Sequence, residues 1–452
     1  MFKIDFEGGS ELMYEGKIIL LVCDGMADRQ VKELGDKTPL EYVETPNMDE
    51  LADKGVTGLM DPIAPGVPPS SDTAHLAIFG YDPEKEYPGR GLFEAAGYGY
   101  KISDDEVAFR CNFSTVRKRD DELIVVDRRA GRISGSEAEA LAKELQKIDE
   151  IDGVKVKFAH TLEHRGFLIL KGEGLSANIT DSDPHEIGAP VLKSVPLISA
   201  VDFEAAQKTA QIVNKFVLQT FSVLNTHPIN VERIKRGKLP ANIVLPRGAG
   251  KRIKLENFED RWGMKPACVA AGPLYRGVAF ELGFKLIDVE GATGLPNTNI
   301  KGKFEAAVNA LENYDFVFIH IKGTDTLSHS KDAKGKAEMI SRIDNALPII
   351  MDAVKEGVTF VLTADHTTPC SIGIHSGDPV PLLIVGPNVR RDFVKNFDEI
   401  SVVRGGLHRI RGKELMNILL DVTHRAPEYG LRPSPKRVRY LLKTWNALKL
   451  NK

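Results

Sequence analysis

Three strongly apolar segments, each closely followed by an aspartate, constrain the fold of this chain more than any other feature. They cover residues 17–23, 316–321 and 358–363, and the aspartates that follow them are Asp24, Asp325 and Asp365. Near-continuous apolar runs of this length are typical of parallel β-strands that are buried on both faces. The three aspartates would then follow the carboxyl ends of strands, where open α/β sheets bind their ligands.

Helical patterns lie between and after these strands, at Phe304 to Glu312, Lys336 to Glu356 and Lys413 to Val422. Strands that alternate with helices predict the α/β class, with a doubly wound sheet.

The middle of the chain has a different pattern. Its strand candidates are short, alternating and hairpin-like: Val107 to Phe113, Leu123 to Asp127, Val154 to His160 and Gly166 to Lys171. Two helices are expected there, one after Ser136, which has capping-box spacing to Glu139, and one from Asp202 to Leu224. Residues 228–254 read as an ordered basic loop. We therefore expect a discontinuous α/β domain, residues 1–104 and 258–452, interrupted by an inserted α+β domain, residues 105–257.

Composition excludes several classes of protein. The 452 residues include 60 Lys or Arg and 63 Asp or Glu, a net charge of -3 with no long block of one sign. This argues against a dedicated nucleic-acid or anionic-membrane surface. The apolar runs are far shorter than the ~20 residues of a membrane span, and the first sixteen residues lack the apolar core of a signal peptide. A cytoplasmic protein is expected.

The four cysteines, Cys23, Cys111, Cys268 and Cys370, show no CxxC spacing. Neither a zinc knuckle nor a disulfide framework is indicated, so they are expected to be small buried residues.

Candidate metal ligands gather at the predicted strand ends. Asp325 and His329 are four residues apart, which places them on one face of a helical turn, and Asp365 and His366 are adjacent. His375 follows in a glycine-containing loop. Carboxylates mixed with imidazoles suit Mn²⁺ or Zn²⁺ better than Mg²⁺ or Ca²⁺. The set, counted with Asp24, exceeds the needs of one four-coordinate catalytic ion, which indicates two ions that clamp a phosphoryl group.

A nucleophile is the remaining requirement. The proline-rich loop from Ala64 turns into a helical segment at Ser70 and Ser71. A serine in that position is either an N-cap or a hydroxyl that carries phosphate beside the helix N-terminus. Sequence spacing leaves both interpretations open.

The combined motifs resemble the cofactor-independent phosphoglycerate mutases of the alkaline phosphatase superfamily, and most closely their archaeal-type branch. The similarity rests on these segments in this order: Asp24-Gly25, Ser71-Asp-Thr-Ala-His75, Tyr87-Pro-Gly-Arg-Gly-Leu-Phe-Glu-Ala-Ala-Gly, Asp181-Ser-Asp-Pro-His185, Arg247-Gly-Ala-Gly, Asp325-x-x-x-His329, Thr363-Ala-Asp365-His366, His375 and Leu407-His-Arg-Ile-Arg-Gly. It covers nearly the whole chain. It implies an alkaline-phosphatase-like fold with an inserted substrate-binding (phosphotransferase) domain.

The resemblance also implies roles for individual residues. One ion would be held by Asp325, His329 and His375, and the other by Asp24, Ser71, Asp365 and His366. Ser71 rather than Ser70 would be the phosphorylated nucleophile, because His75 then lies four residues later. Candidate substrate contacts are Arg132, Arg165, His185, Arg247 and Arg276.

The implied reaction interconverts 2-phosphoglycerate and 3-phosphoglycerate, in glycolysis and gluconeogenesis, through a phosphoserine and without 2,3-bisphosphoglycerate. Mn²⁺ is the expected metal, ahead of Zn²⁺, Co²⁺ or Mg²⁺. The inserted domain would exclude water, which separates a mutase from a phosphatase. Another phosphatase, phosphomutase or phosphotransferase of the superfamily is the alternative enzyme, and a metal-binding module without catalysis is the alternative outside enzymes. The partner is a small molecule, with no nucleic acid or membrane, and a homo-oligomer stays open.

Overall fold

The computed structural model describes residues 16–430 together with Arg432 and Leu448. Residues 1–15, to which the expectation about a signal peptide refers, lie outside this part. The described chain forms two compact units: residues 16–87 and 255–430, called here the large unit, and residues 88–254, called the inserted unit. Within this part, no helix is long and apolar enough to cross a bilayer.

The β-strands, in chain order, are β1 (Ile18–Cys23), β2 (Val56–Asp61), β3 (Glu106–Arg119), β4 (Glu122–Asp127), β5 (Glu150–Ile151), β6 (Val154–His160), β7 (Arg165–Lys171), β8 (Ile243–Lys251), β9 (Pro266–Val269), β10 (Lys285–Leu286), β11 (Phe316–Ile321), β12 (Thr359–Thr363), β13 (Val380–Val385) and β14 (His408–Arg411).

The α-helices are α1 (Pro39–Tyr42), α2 (Pro46–Lys54), α3 (Ser71–Ile78), α4 (Pro83–Glu86), α5 (Arg90–Gly97), α6 (Gly135–Leu145), α7 (Phe203–Asn225), α8 (Pro228–Lys235), α9 (Phe258–Trp262), α10 (Pro273–Glu281), α11 (Ile300–Ala310), α12 (Gly323–His329), α13 (Ala333–Ala346), α14 (Pro348–Lys355) and α15 (Leu415–Val422).

The large unit is built on an eight-stranded sheet of order β10-β9-β11-β1-β12-β13-β2-β14. The three predicted core strands are neighbours in it, since β1 pairs in parallel with β11 on one side and with β12 on the other. Every residue of these three strands is buried. The expected α/β class and the placement of three aspartates at adjacent strand ends are therefore confirmed.

One long helix predicted in the large unit is divided in two. The pattern from Lys336 to Glu356 corresponds to α13 and α14, which are separated at Leu347. The break follows from Pro348, whose ring nitrogen carries no hydrogen for the bond that a continuous helix would need. Proline is instead well suited to the first position of α14.

The inserted unit contains a six-stranded sheet in which β3 is central. This strand pairs with β4, β7 and β8, all antiparallel, and β6 and β5 extend the sheet beyond β7. Helices α6 and α7 pack against this sheet, and Phe113, Phe158 and Phe216 are fully buried in its core. The expected α+β character of this region matches the observed elements.

Two local predictions in the inserted unit are wrong. Residues 228–254 are not a loop, because they contain α8 and the strand β8, whose apolar residues Ile243 to Leu245 are buried against β3. The spacing of Ser136 and Glu139 does not mark a helix start, since α6 already begins at Gly135.

The first boundary between the units lies earlier than residue 104. Helix α5 belongs to the inserted unit because it packs on β3 and β8. Gly91 allows this close contact, since a Cβ atom there would lie 2.2 Å from the carbonyl oxygen of Ala108. The second boundary, between Lys254 and Leu255, lies close to the expected one.

Candidate active site

The predicted metal ligands of the large unit converge at the carboxyl ends of β1, β11 and β12. Asp24 follows β1, and Asp325 lies in α12, which begins directly after β11. Asp365 and His366 follow β12. These four side chains are buried, so the topology of the sheet alone concentrates three carboxylates in a small volume.

A first group of ligand atoms surrounds Asp325. Its Oδ1 atom lies 3.3 Å from His329 Nε2 and 3.6 Å from His375 Nε2. The helical spacing of Asp325 and His329 therefore has the predicted effect. His366 also belongs to this group, with Asp325 and His375, and its ring stacks on that of His375 at 3.6 Å between centroids.

A second group contains Asp24, Asp365 and His366. The Nε2 atom of His366 lies 3.4 Å from Asp24 Oδ1 and 3.2 Å from Asp365 Oδ2, and the same nitrogen lies 3.2 Å from the Ser71 hydroxyl oxygen. Seven side chains predicted as ligands thus lie in one region, and His366 occupies the position between the two groups.

Hydrogen bonds at Nδ1 orient the three histidines. In His329 this nitrogen lies 2.8 Å from the carbonyl oxygen of Gly373, and in His375 it lies 2.9 Å from that of Pro69. In His366 it lies 2.9 Å from the hydroxyl oxygen of Thr368. A carbonyl oxygen only accepts, so Nδ1 carries a proton in the first two rings and Nε2 is the nitrogen available to a metal ion. This is the arrangement that orients histidines as metal ligands.

Two buried carboxylate oxygens indicate that this region binds a cation. No donor among the described residues makes a hydrogen bond to Asp24 Oδ1 or to Asp365 Oδ2. A buried anionic oxygen without a partner is costly, and a cation would remove that cost. The oxygens, the imidazole nitrogens and the Ser71 hydroxyl together are a donor set that fits divalent metal ions.

Lys322 is a site residue that the sequence did not identify. Its ammonium group lies 3.1 Å from Asp24 Oδ2 and 2.6 Å from Asp325 Oδ2, and it is 3.0 Å from the Tyr275 hydroxyl. Burial works to raise the pKa of Asp24, yet the Lys322 charge and the contact with His320 together hold that pKa below its usual range. The available signal was its position directly after β11, at the functional edge of the sheet.

Aromatic and imidazole rings form the floor beneath Asp24. The Tyr275 hydroxyl donates to Asp24 Oδ2, and the Tyr275 ring stacks on His320 at 3.5 Å between centroids. His320 Nε2 lies 3.2 Å from Asp24 Oδ2, and burial lowers the pKa of His320 to about 4. His320 could have been identified as a site residue from the sequence, because it interrupts the apolar run of β11. No sequence pattern marked Tyr275.

The start of α3 distinguishes the two serines. Ser70 is the N-cap residue, and its hydroxyl donates to Asp72 Oδ1 at 2.5 Å. Ser71 is the first residue inside the helix and is not an N-cap. His75 Nδ1 donates to the carbonyl oxygen of Ser71 at 2.6 Å, which fixes the first turn and leaves the Ser71 hydroxyl directed at His366.

Two of the predicted substrate residues meet in the inserted unit. Arg247 Nη1 lies 3.3 Å from His185 Nδ1, and Arg128 Nη2 lies 3.2 Å from the same atom. Arg128 also makes a bidentate pair with the buried Asp183, at 2.9 and 2.7 Å. Arg128 was not predicted.

A larger arginine cluster surrounds Glu94 in the same unit. Burial works to raise the pKa of Glu94, but the charges of Arg110, Arg90, Arg165 and Arg247 together lower it. No acceptor among the described residues bonds the Nε atom of Arg110, Arg165 or Arg247.

His164 lies beside the same cluster. Burial, reinforced by Arg165 and Arg129, lowers the pKa of His164 to about 3, so the imidazole is neutral at physiological pH. The cluster therefore has an excess of partly buried positive charge that an anion would balance.

The remaining candidates lie differently. Arg132 is exposed, in a 3₁₀ turn with φ of 56°, and its charge reaches Arg129 and His164. Arg276 belongs to the large unit, where it pairs with the exposed Asp288 at 2.8 Å. The four cysteines are buried and free, as predicted.

Comparison with known proteins gives consistent results. Residues 52–230 match the family model described as 2,3-bisphosphoglycerate-independent phosphoglycerate mutase. An enzyme of that name from Ignicoccus hospitalis is 48% identical over 92% of this chain and 100% of its own length.

Two solved structures are also similar. A protein of Pyrococcus horikoshii shares 39% identity, covers 93% of this chain and 100% of its own, and has a TM-score of 0.78. The cofactor-independent phosphoglycerate mutase of Thermoplasma acidophilum shares 34% identity, with 90% and 100% coverage and a TM-score of 0.62.

Proposed function

Because the chain belongs to the 2,3-bisphosphoglycerate-independent phosphoglycerate mutases, a family of isomerases, we propose that it interconverts 2-phosphoglycerate and 3-phosphoglycerate through a phosphoserine at residue 71. One observation carries this proposal. The Ser71 hydroxyl lies at the N-terminal end of α3 and 3.2 Å from His366, beside two buried carboxylates, Asp24 and Asp365, that each have one oxygen to which no described residue donates.

The ligand sets of the proposal are those implied by the family. Asp325, His329 and His375 would hold one divalent ion, and Asp24, Ser71, Asp365 and His366 would hold the other. His366 also lies close to the first set, so it is the residue through which the two sites are coupled. When bound, the two ions, for which Mn²⁺ is proposed, lower the pKa of the serine hydroxyl and neutralise charge on the transferred phosphoryl group.

Ser71 performs the covalent step. Its hydroxyl gives up a proton as its oxygen forms a bond to phosphorus, while the bond between phosphorus and the glycerate oxygen breaks and that glycerate oxygen takes up a proton. In the second half the other glycerate hydroxyl loses its proton and forms the new bond to phosphorus, and the Ser71 oxygen leaves and takes up a proton again. The positive end of the α3 dipole favours the phosphate on this serine. Lys322 supplies a fixed positive charge beside Asp24 and Asp325.

The arginines of the inserted unit are proposed to bind the anionic substrate. Guanidinium groups form charge-assisted, often bidentate, hydrogen bonds with carboxylates and phosphates. The Nε atoms of Arg110, Arg165 and Arg247, which have no hydrogen-bond acceptor among the described residues, support this role, and His185 and Arg132 are proposed to assist. Arg276 is proposed as a further contact on the large unit. Retention of the glycerate and exclusion of water would keep the phosphoserine from hydrolysis.

The test is product analysis on 3-phosphoglycerate with Mn²⁺ and without any bisphosphoglycerate. We expect 2-phosphoglycerate to form, and acid-quenched enzyme that has reacted with labelled substrate to carry the label on Ser71. Release of inorganic phosphate instead of 2-phosphoglycerate would favour the phosphatase alternative. Label on Ser70 would move the nucleophile by one residue, and an absence of any reaction would contradict the proposal.

A further inference from the structure

A buried ion pair lies beneath the candidate active site and belongs to none of the ligand sets. Lys336, on α13, has no exposed surface, and its ammonium group lies 2.8 Å from Asp28 Oδ2. The same group donates to the carbonyl oxygens of Ala27, at 3.1 Å, and Thr368, at 3.2 Å. All three ammonium hydrogens therefore have acceptors.

These acceptors come from the two loops that carry metal-ligand candidates. The β1 loop, residues 24–29, begins with Asp24 and contains Ala27 and Asp28. The β12 loop, residues 365–370, begins with Asp365 and His366 and contains Thr368. Lys336 thus ties both loops to a single point on α13.

Asp28, which lies on the β1 loop, also connects the same two loops. Its carboxylate accepts the backbone N–H of Cys370 in the β12 loop, at 3.1 Å to either oxygen, and the N–H of Arg29 in its own loop, at 2.8 Å. The loops also meet directly, since the N–H of Thr368 donates to the carbonyl oxygen of Ala27 at 3.1 Å. The contacts form a closed network around the ion pair.

The network continues into the ligands through one side chain. The hydroxyl of Thr368 donates to Asp325 Oδ1 at 3.2 Å and lies 2.9 Å from His366 Nδ1. Because Lys336 holds the backbone of Thr368, it also holds the group that orients His366 and Asp325. Removing that backbone contact would loosen ligands of both proposed ions.

A charged pair in this position is not needed for packing. A buried ion pair often contributes no more to stability than apolar residues of similar volume, because the two charges must be desolvated. Its retention in a fold is best explained where the pair fixes a specific arrangement.

We propose that Lys336 and Asp28 are positioning residues of the metal site, which hold the β1 and β12 loops at the spacing that two divalent ions require. The inference rests on the metal dependence included in the proposed function. Outer contacts of this kind typically change metal affinity by about 10- to 100-fold when they are removed.

The test measures Mn²⁺ binding to the metal-stripped full-length chain by calorimetry. Lys336→Met leaves Asp28 unpaired, so the deciding variant is Lys336→Met combined with Asp28→Asn, which removes both charges and leaves no buried charge alone. We expect Mn²⁺ affinity in the double variant to fall about 10- to 100-fold, while its thermal unfolding without metal stays close to that of the wild type. Activity should return when Mn²⁺ is raised in proportion.

A matched control lies on the same helix. Asp344 of α13 is equally buried, and its carboxylate accepts the N–H of Met48 at 2.8 Å and the side-chain amide of Asn47 at 2.9 Å, at the start of α2. Helix α2 contains none of the candidate metal ligands. Asp344→Asn should lower the unfolding temperature and leave Mn²⁺ affinity unchanged.

The outcomes separate the inference from the proposed function. Unchanged Mn²⁺ affinity in the folded double variant would overturn the positioning role, and so would failure of that variant to fold with Mn²⁺ present, because the pair would then be structural. A wild-type chain that binds no Mn²⁺ would instead contradict the metal-dependent function itself.

Discussion

The large unit and the inserted unit carry opposite electrostatic imbalances. In the large unit, Asp24 and Asp365 hold buried oxygens to which no described residue donates. In the inserted unit, Arg110, Arg165 and Arg247 hold buried nitrogens for which no described residue provides an acceptor. Bound cations would satisfy the oxygens of the first region, and a bound anion would satisfy the nitrogens of the second. Metal binding and substrate binding in the proposed function therefore each correspond to a separate set of buried atoms without hydrogen-bond partners.

The two imbalances arise by different structural routes. The carboxylates meet because β1, β11 and β12 are adjacent parallel strands, whose carboxyl ends lie on one edge. The guanidinium groups meet because β3, β7 and β8 pair in an antiparallel sheet on which α5 packs. The large unit is therefore expected to carry catalysis and the inserted unit to carry recognition, and four experiments test this division of roles.

Metal removal should have the largest effect. Treatment with a chelator is expected to reduce turnover below detection, and Mn²⁺ is expected to restore it, because the large unit then lacks the charge that balances its carboxylates. Turnover assays before and after stripping, with metal content measured alongside, check this. Full activity in the metal-stripped enzyme would show that the carboxylates of the large unit do not need metal ions for catalysis.

Ser71→Ala should come next. Loss of the only hydroxyl that can carry the phosphate is expected to lower kcat about 10⁴-fold or more, as for other covalent nucleophiles. Ser70→Ala removes a hydroxyl that bonds Asp72 and is expected to have a modest effect, so it is the control. Steady-state kinetics and Mn²⁺ binding are measured for both. A fully active, normally metallated Ser71→Ala enzyme would refute the mechanism.

Arg247→Met should affect recognition rather than catalysis. A hydrogen bond to a charged group contributes about 1.5–3 kcal/mol, so KM for phosphoglycerate is expected to rise about 10- to 150-fold with unchanged Mn²⁺ affinity. Arg119→Met is the matched control, because Arg119, at the far end of β3, pairs with exposed Glu122 and with no other acidic side chain among the described residues. If Arg247→Met weakened Mn²⁺ binding instead, the separation of roles would be wrong.

The smallest effect concerns pH and His164. Burial and the neighbouring arginines lower its folded pKa to about 3, from 6.5. As pH falls below 6.5 the unfolded chain binds this proton first, so the folded state loses stability between pH 6.5 and about 3. At pH 5 the loss should be about 2 kcal/mol.

Urea unfolding at pH 7 and pH 5 measures this loss. His164→Gln should remove that part of the pH dependence, whereas His408→Gln, at an exposed histidine of the large unit, should leave it in place. An identical pH dependence in wild type and His164→Gln would show that the arginine cluster does not keep this imidazole neutral.

Much of the large-unit site could be predicted from the chain alone. Apolar runs long enough to be buried strands placed Asp24, Asp325 and Asp365 at one sheet edge, because parallel neighbours end together. Helical periodicity placed His329 beside Asp325. Ser71 could not be separated from an N-cap by spacing alone, and the contact with His366 distinguishes it from Ser70.

Other features depended on tertiary structure. Pairing with β3 decided that residues 243–251 form a strand, and the same sheet brings together arginines far apart in sequence. The contacts of Lys322, Tyr275 and Lys336 join elements separated by up to about 300 residues. The local sequence pattern predicts which segments are buried and where strands end, because both depend on the order of apolar and polar residues within a short segment. It cannot predict which charged residue, distant in sequence, contacts a given buried group, because that contact forms only when the elements pack together.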